Sequence, residues 1–227
     1  DLSGKNLTRI KEMGYKGPTY LETTLVNEEL VRDLNFEKQL ELRKSRSQKN
    51  ILFLSRIERE KGVFQILEAY TKAKGGCADI SLTFAGDGSA LEPLKEMVAE
   101  NQILDVTFAG FVSGNEKKQL FLDAYMFVFL SEFEGMPNAV LEAMAFGLPV
   151  ITTDVGGIYT VFKDGENGRL LADSSYELVS DCIIDILNNE VEYEKFSQNN
   201  YQKAKSTFWS SMVSERVKKI YQSVASE

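Results

Sequence analysis

The chain has 227 residues and a formal net charge of −8, with 43% hydrophobic and 26% charged residues. That acidic balance argues against broad nucleic-acid binding and against a polybasic membrane patch, and no run approaches the ~20 apolar residues of a membrane span. The sequence contains no histidine, which excludes His-ligated zinc, Ser-His-Asp triads and any His general base within this chain.

Asp1 stands where an initiator Met is expected and no signal peptide opens the chain, which suggests an excised piece or a processed chain. Leu2 to Met13 reads as a short helix, and Gly14, Gly17 and Pro18 punctuate it. Thr19 to Val26 reads as an extended crossing, and the polar segment Asn27 to Lys49 as partly helical. Asn50 to Ser55 (NILFLS) is a buried-type strand that ends in Arg56. From Val63 to Lys74, apolar residues at 63, 64, 66, 67, 70 and 73 form a helical stripe. Lys61 therefore stands at a helix N-terminus, the wrong end for a cation. It pairs either with a neighbouring Glu58 or Glu60 or with an anion held in front of the helix.

Ile80 to Ala85 is the next strand, followed by the Gly86-Asp87-Gly88 turn and a capping box, Ser89-x-x-Glu92. Gly86-x-Gly88 lacks the third glycine of a dinucleotide fingerprint and reads as a tight turn. Val106 to Phe111 is a further strand, which leads through Val112 to a second capping box, Ser113 with Glu116. Tyr125 to Leu130 is fully apolar, as in a strand buried on both faces. The chain then turns through Glu134-Gly135-Met136 into a helix that opens at Pro137, runs to Phe146 and stops at Gly147 and Pro149.

Two features of that helix are unusual for a purely structural element. Its expected N-cap, Met136, has no side-chain acceptor, so the N–H groups of Asn138 and Ala139 are free for an anion. Glu142 stands alone among apolar neighbours, so it is either on a narrow exposed stripe or buried against a hydroxyl or cation. Beyond it come a strand from Pro149 to Thr152, the Asp154-Val155-Gly156-Gly157 turn, a short helix over Ile158 to Phe162, and a turn at Asp164 to Gly168. Ser174 and Glu177 cap a helix, a polar helix follows over about Glu192 to Thr207, and the last helix carries a stripe from Trp209 to Val224. Cys77 and Cys182 read as free thiols in a reducing compartment rather than as a disulfide.

Short apolar strands alternating with amphipathic helices specify an α/β domain, a Rossmann-like doubly wound parallel sheet. Ligands in such sheets bind beyond the carboxyl ends of the strands. Arg56 and Lys61, the 112–116 loop, Glu134 to Glu142 and Gly156-Gly157 all follow strand ends and can converge on one edge.

The string from Ser131 to Gly157 joins Glu-x7-Glu to Gly-x-Pro, Ala-Met-Ala-x-Gly-x-Pro-Val and a final Gly-Gly. It resembles the retaining family 4 glycosyltransferases of the GT-B fold, and Ser-Arg-x4-Lys-Gly at 55–62 is similar to that family's Arg/Lys pair for a nucleotide diphosphate. The resemblance covers roughly residues 50 to 227 and implies the C-terminal, donor-binding half of a two-domain enzyme. Residues 1–48 would be the end of the N-terminal domain and the linker, 49–208 the nucleotide-sugar-binding domain, and 209–227 a helix that packs on the N-terminal domain.

By the same resemblance, Arg56, Lys61 and the turn Gly135-Met136-Pro137-Asn138 hold the diphosphate, Glu142 the ribose, Glu134 the donor sugar near the reacting carbon, and the loop at Val112 the base. Glu134, Arg56 and Lys61 would then be the catalytic groups. There is no Asp-x-Asp pair, so no metal is expected, and the donor would be a UDP- or GDP-sugar with no separate cofactor. The implied partners are that donor, a glycan or lipid-linked acceptor and the acceptor domain. The implied location is cytoplasmic, with the full-length enzyme peripheral to the inner membrane as a variant. One departure is that Tyr159-Thr160 replaces the family's Pro-Glu after the Gly-Gly. Alternative readings are a related nucleotide-sugar synthase, phosphorylase or epimerase, and a non-catalytic nucleotide-binding scaffold.

Overall fold

The computed structural model describes residues 4–20, 22–77 and 79–225. Position 2, where the first expected helix opens, and position 21, inside the expected extended crossing, lie outside the described residues. The apolar runs form strands β1 (Lys49–Leu54), β2 (Ile80–Ala85), β3 (Val106–Gly110), β4 (Ala124–Phe129), β5 (Val150–Thr153) and β6 (Gly168–Leu171). They pair in the order β3-β2-β1-β4-β5-β6, with every neighbouring pair parallel. The doubly wound sheet expected from the sequence is therefore present, with its switch point between β1 and β4, where connections leave in opposite directions. β4 is buried along its whole length, as its unbroken apolar sequence requires, whereas edge strand β3 alternates between half-buried and exposed.

The helices are α1 (Gly4–Glu12), α2 (Phe36–Ser45), α3 (Val63–Gly76), α4 (Leu91–Glu100), α5 (Gly114–Asp123), α6 (Asn138–Ala145), α7 (Tyr176–Asn188), α8 (Glu190–Thr207) and α9 (Ser210–Val224). The short helix expected at Ile158 is a single 3-10 turn, Ile158–Thr160. β6 went unread because the turn before it ends in a glycine, Gly168, and Arg169 interrupts its four residues. The buried Asn167 fixes that turn. Its side chain accepts from the Lys163 N–H (2.9 Å) and donates to Asn200 (2.8 Å), which in turn donates to the carbonyls of Leu148 and Asn167.

Three expected Ser-x-x-Glu caps do not form. α4 is capped at Ala90 with no side-chain bond, because Ser89 turns to the carboxylate of Glu58 across the β1 loop. α7 is capped at Ser175 rather than Ser174, and the Ser175 N–H is held by Asp173 (2.9 Å). Ser113 is the N-cap of α5, but its hydroxyl makes no capping bond. Trp209 caps α9 rather than lying in it, and Val26 forms an isolated parallel bridge to it. Cys77 and Cys182 are both free.

The segment before β1 packs on the sheet domain through Val26, Val31, Phe36 and Leu40, all buried. Arg43 of α2 is wholly buried, and its guanidinium donates to the carbonyls of Phe121 (3.1 Å), Phe146 (2.9 Å) and Gly147 (3.5 Å). These carbonyls lie at the C-terminal ends of α5 and α6, where a cation meets the negative end of each helix dipole. Burial lowers the guanidinium pKa to about 10, which leaves it charged at neutral pH. At the other end, Glu22 accepts from the Nε (2.8 Å) and Nη2 (2.6 Å) of Arg216 and so ties the leading segment to α9.

Arg43→Met orphans three carbonyls and should cost about 3 kcal/mol, which thermal unfolding would read as a fall in Tm of about 6–12 °C. The Arg216 bonds hold the Glu22 carboxyl below its ordinary value of 4.5. Its stabilisation is therefore complete above that value and is lost as pH falls through the lowered one. Glu22→Gln should be less stable than the parent at pH 7 by about 1 kcal/mol at most, with the gap closing towards pH 3 in a denaturant titration.

Candidate functional site at the sheet switch point

β1 runs out at Leu54, and the chain continues through Arg56 and a 3-10 turn, Arg59–Lys61, before α3 begins. Gly62 caps α3 at φ +71, a left-handed conformation that costs glycine little. A Cβ there would stand 2.5 Å from the Leu130 side chain and 2.6 Å from its carbonyl. That close approach presses the β1 loop onto the β4 loop, and the Glu132 N–H bonds the Glu60 carbonyl across the seam (2.9 Å).

Lys61 is carried into this seam and buried. Its ammonium donates to Glu134 Oε1 (2.6 Å), Ser131 Oγ (3.3 Å) and the Phe133 carbonyl (3.4 Å). Of the two partners left open by the sequence, the structure gives neither Glu58 nor Glu60 but Glu134, on the far side of the switch point. All three ammonium protons are engaged, and two of the three bonds are long.

The turn after β5 closes the opposite wall. Gly156 sits at φ +61 with its Cα against the Glu134 and Gly135 carbonyls, where a Cβ would be 2.4 Å from both oxygens. The Gly157 N–H donates to the Gly135 carbonyl (2.8 Å). Between these walls lies a cleft of about 520 Å³ whose ionisable lining is Arg56, Lys61, Glu132, Glu134 and Asp154. Arg56 also lines a second cleft of about 340 Å³, apolar in character, with Leu54, Ala85, Phe111 and Val112. The structure thus brings Arg56, Lys61, Glu134 and Gly135 together and places Val112 in the adjoining space.

The remaining expected residues stand beside these clefts rather than on their linings. Pro137 is the N-cap of α6 and not its first helical residue, with ψ at 95, and α6 opens at Asn138. Proline has no N–H, and its carbonyl accepts from Val140 and Leu141. Among the described residues, no side chain caps the Asn138 and Ala139 N–H groups, and the N-cap is Pro137, one residue later than expected. Met136 and Pro137 are buried, and the Asn138 side chain accepts from the Thr24 hydroxyl (2.6 Å). Glu142 is shielded on α6 and paired to Lys117 of α5 at 2.7 Å, with side-chain exposures of 17% and 22%. The sequence reading left its partner as a hydroxyl or a cation, and the structure supplies a cation.

Lys117, Ser131, Glu132 and Asp154 were not singled out from sequence. Lys117 could have been found by the argument that flagged Lys61, since it too is a cation in the first turn of a helix. Tyr159 and Thr160 line a separate polar cleft beside α8, and the Thr160 hydroxyl donates to the Gly157 carbonyl (2.7 Å). Among the described residues, no group of three or more His, Cys, Asp or Glu side chains could hold a metal ion, and no helix is long and apolar enough to cross a membrane.

Lys61→Met leaves Glu134 without its partner in a site where it is only 19% exposed. A denaturant double-mutant cycle of Lys61→Met with Glu134→Gln should return a coupling of about 1–3 kcal/mol, with the double variant no less stable than Lys61→Met alone.

Residues 35–203 match the family described as glycosyl transferases group 1. An uncharacterized glycosyltransferase of Methanocaldococcus jannaschii is 29% identical over 192 residues, which are 75% of this chain and 48% of that protein. The chain spans about half the length, or less, of the curated relatives it matches. In fold it is similar to Anabaena Alr3699/HepE, solved in complex with UDP (TM-score 0.84, 17% identity, covering 98% of this chain and 62% of that one). It is also similar to the C-terminal domain of the group 1 glycosyl transferase LpcC from Francisella tularensis (TM-score 0.71, 23% identity, covering 82% of this chain and 99% of that one). The match over most of the chain, on a sheet whose switch point carries the Arg56, Lys61 and Glu134 cluster, shows that the chain belongs to the glycosyl transferases group 1 family.

Proposed function

We propose that this chain is the donor-binding part of a retaining, metal-independent glycosyltransferase of family 4, acting on a UDP- or GDP-sugar. The observation that carries the reading is the pair of adjoining clefts that meet at Arg56. A nucleoside diphosphate sugar has the same three-part plan. Its base suits the apolar cleft at Phe111 and Val112, its diphosphate belongs at Arg56, and its sugar belongs in the wider cleft with Lys61 and Glu134.

As the bond from the anomeric carbon to the diphosphate oxygen breaks, negative charge grows on the leaving phosphate. Arg56 and Lys61 are cations fixed beside that position, so they stabilise the transition state more than the ground state. Lys61 can reach a phosphate by exchanging its long bonds to Ser131 and Phe133 while keeping Glu134. The uncapped N–H groups of Asn138 and Ala139, at the positive end of α6, add donors for the anion. Glu134 accepts from a donor-sugar hydroxyl, and Glu142 accepts from the ribose diol with Lys117 orienting it. The sugar passes to an acceptor hydroxyl of a glycan or lipid-linked partner, whose proton leaves with the diphosphate. The acceptor side belongs to an N-terminal domain of the full enzyme, so the chain alone binds nucleotide without transferring sugar.

Calorimetry and thermal shift with UDP, GDP, ADP, CMP and NAD, all in EDTA, test the reading. One nucleoside diphosphate should stabilise the chain selectively, with affinity falling about tenfold in Arg56→Ala and in Glu142→Ala, a loss of ~1.4 kcal/mol each. A response that is absent, or equal for all five, overturns it.

A further inference from the structure

The cleft around Lys61 is not a basic pocket. Three carboxylates, Glu132, Glu134 and Asp154, line it against two cations, Arg56 and Lys61. Lys61 is paired to Glu134 by its short bond, and in the donor reading its two longer bonds pass to the diphosphate. Arg56 lies where this cleft meets the apolar one, so it belongs to the diphosphate end of any donor.

Away from that junction, Glu132 and Asp154 form no ion pair among the described residues. Their positions are set by backbone bonds. The Glu132 N–H donates to Glu60 (2.9 Å) and the Asp154 N–H to Leu171 (3.1 Å), so one stands on the wall that follows β4 and the other on the wall that follows β5. The clip from Gly157 to Gly135 holds those walls together. Among the described residues, the sugar end of the cleft therefore carries two unpaired carboxylates and no cation outside the Lys61–Glu134 pair.

Resting on the donor reading above, we infer that this cleft selects its donor by charge. It accepts a sugar whose substituents are hydroxyl, acylamino or amino groups and rejects one that carries a carboxylate, such as a uronic acid. Hydroxyl and N–H groups donate to Glu132 and Asp154. A sugar carboxylate would face both of these exposed carboxylates with nothing on that side to pair it. Like charges brought together in this way exclude wrong partners more effectively than added attraction selects right ones.

The test is calorimetry on this chain at low ionic strength with two ligand series: UDP, UDP-glucose and UDP-glucuronic acid, then GDP, GDP-mannose and GDP-mannuronic acid. In whichever series binds, the uronate should bind at least about tenfold more weakly than the hexose. The gap should shrink in 0.5 M salt, because screening acts on exposed charges. In the Glu132→Gln/Asp154→Asn double variant the two ligands should bind within about twofold of each other, with the parent diphosphate bound as tightly as before or more so. Equal binding of hexose and uronate to the parent chain overturns the charge selection and leaves the donor reading standing. A gap that survives the double variant shows that these carboxylates are not its cause and also overturns it. Failure of both UDP and GDP to bind sinks the donor reading and the selection with it.

Discussion

The buried ion pair between Lys61 and Glu134 joins the two halves of the sheet at the point where they diverge. β1 sends its connection one way and β4 the other, which opens a crevice between the loops that follow them. The pair closes that crevice at 2.6 Å, with side-chain exposures of 7% and 19%. Taking two charges this far out of water is a weak route to stability, since well-packed apolar residues do as well or better. A charge pair held at the carboxyl edge of a parallel sheet, beside an exposed Arg56, is instead suited to chemistry. The glycines on either side are consistent with this. Gly62 and Gly156 let backbone pass within contact distance of Leu130 and of Glu134-Gly135, which brings the loops that carry the pair close together.

The two ends of α6 show the same division between structure and use. At its C-terminus, the carbonyls of Phe146 and Gly147 accept from Arg43, a guanidinium with no exposure at all. At its N-terminus the first two N–H groups have no side-chain cap. A helix with one end fully satisfied and the other left open keeps an unpaired positive pole facing the strand-end loops. Arg43 reaches across from α2, which explains why the polar segment before the first strand packs into the domain instead of trailing from it.

The parts of this architecture that were legible in the sequence are those written in local pattern. Unbroken apolar runs such as Tyr125 to Leu130 mark strands buried on both faces, and Gly147 with Pro149 marks the end of α6 within a residue. Arg56, Lys61 and the start of the Glu-x7-Glu string follow strand ends in the sequence, and in the structure Arg56, Lys61 and Glu134 line one cleft beyond those ends. What remained hidden depends on contacts between distant residues. Ser89 has the spacing of a capping residue, but Glu58, thirty-one positions earlier, takes its hydroxyl. β6 is four residues long and carries Arg169, so it has no apolar run to announce it, and its turn is fixed by Asn200 in α8. Lys117 and Glu142 are separated by twenty-five residues and meet only because α5 and α6 flank neighbouring strands.

Those two pairs also bear on how the site is used. Each carboxylate of the Glu-x7-Glu string has its own lysine, Glu134 with Lys61 and Glu142 with Lys117, at 2.6 and 2.7 Å. Both carboxylates of the string are therefore paired and oriented, while Glu132 and Asp154 of the same cleft form no ion pair among the described residues. An incoming diphosphate does not meet bare lysines waiting for it. In the proposed donor complex it would take over the bonds that Lys61 makes to Ser131 and Phe133, which are its longest, and leave the short bond to Glu134 in place. Such an arrangement gives up some ground-state affinity, because part of the cation's donor capacity is already spent. It gains a fixed geometry, in which the charges need no reorganisation as negative charge moves onto the leaving phosphate. That exchange favours stabilisation of the transition state over tight binding of the ground state.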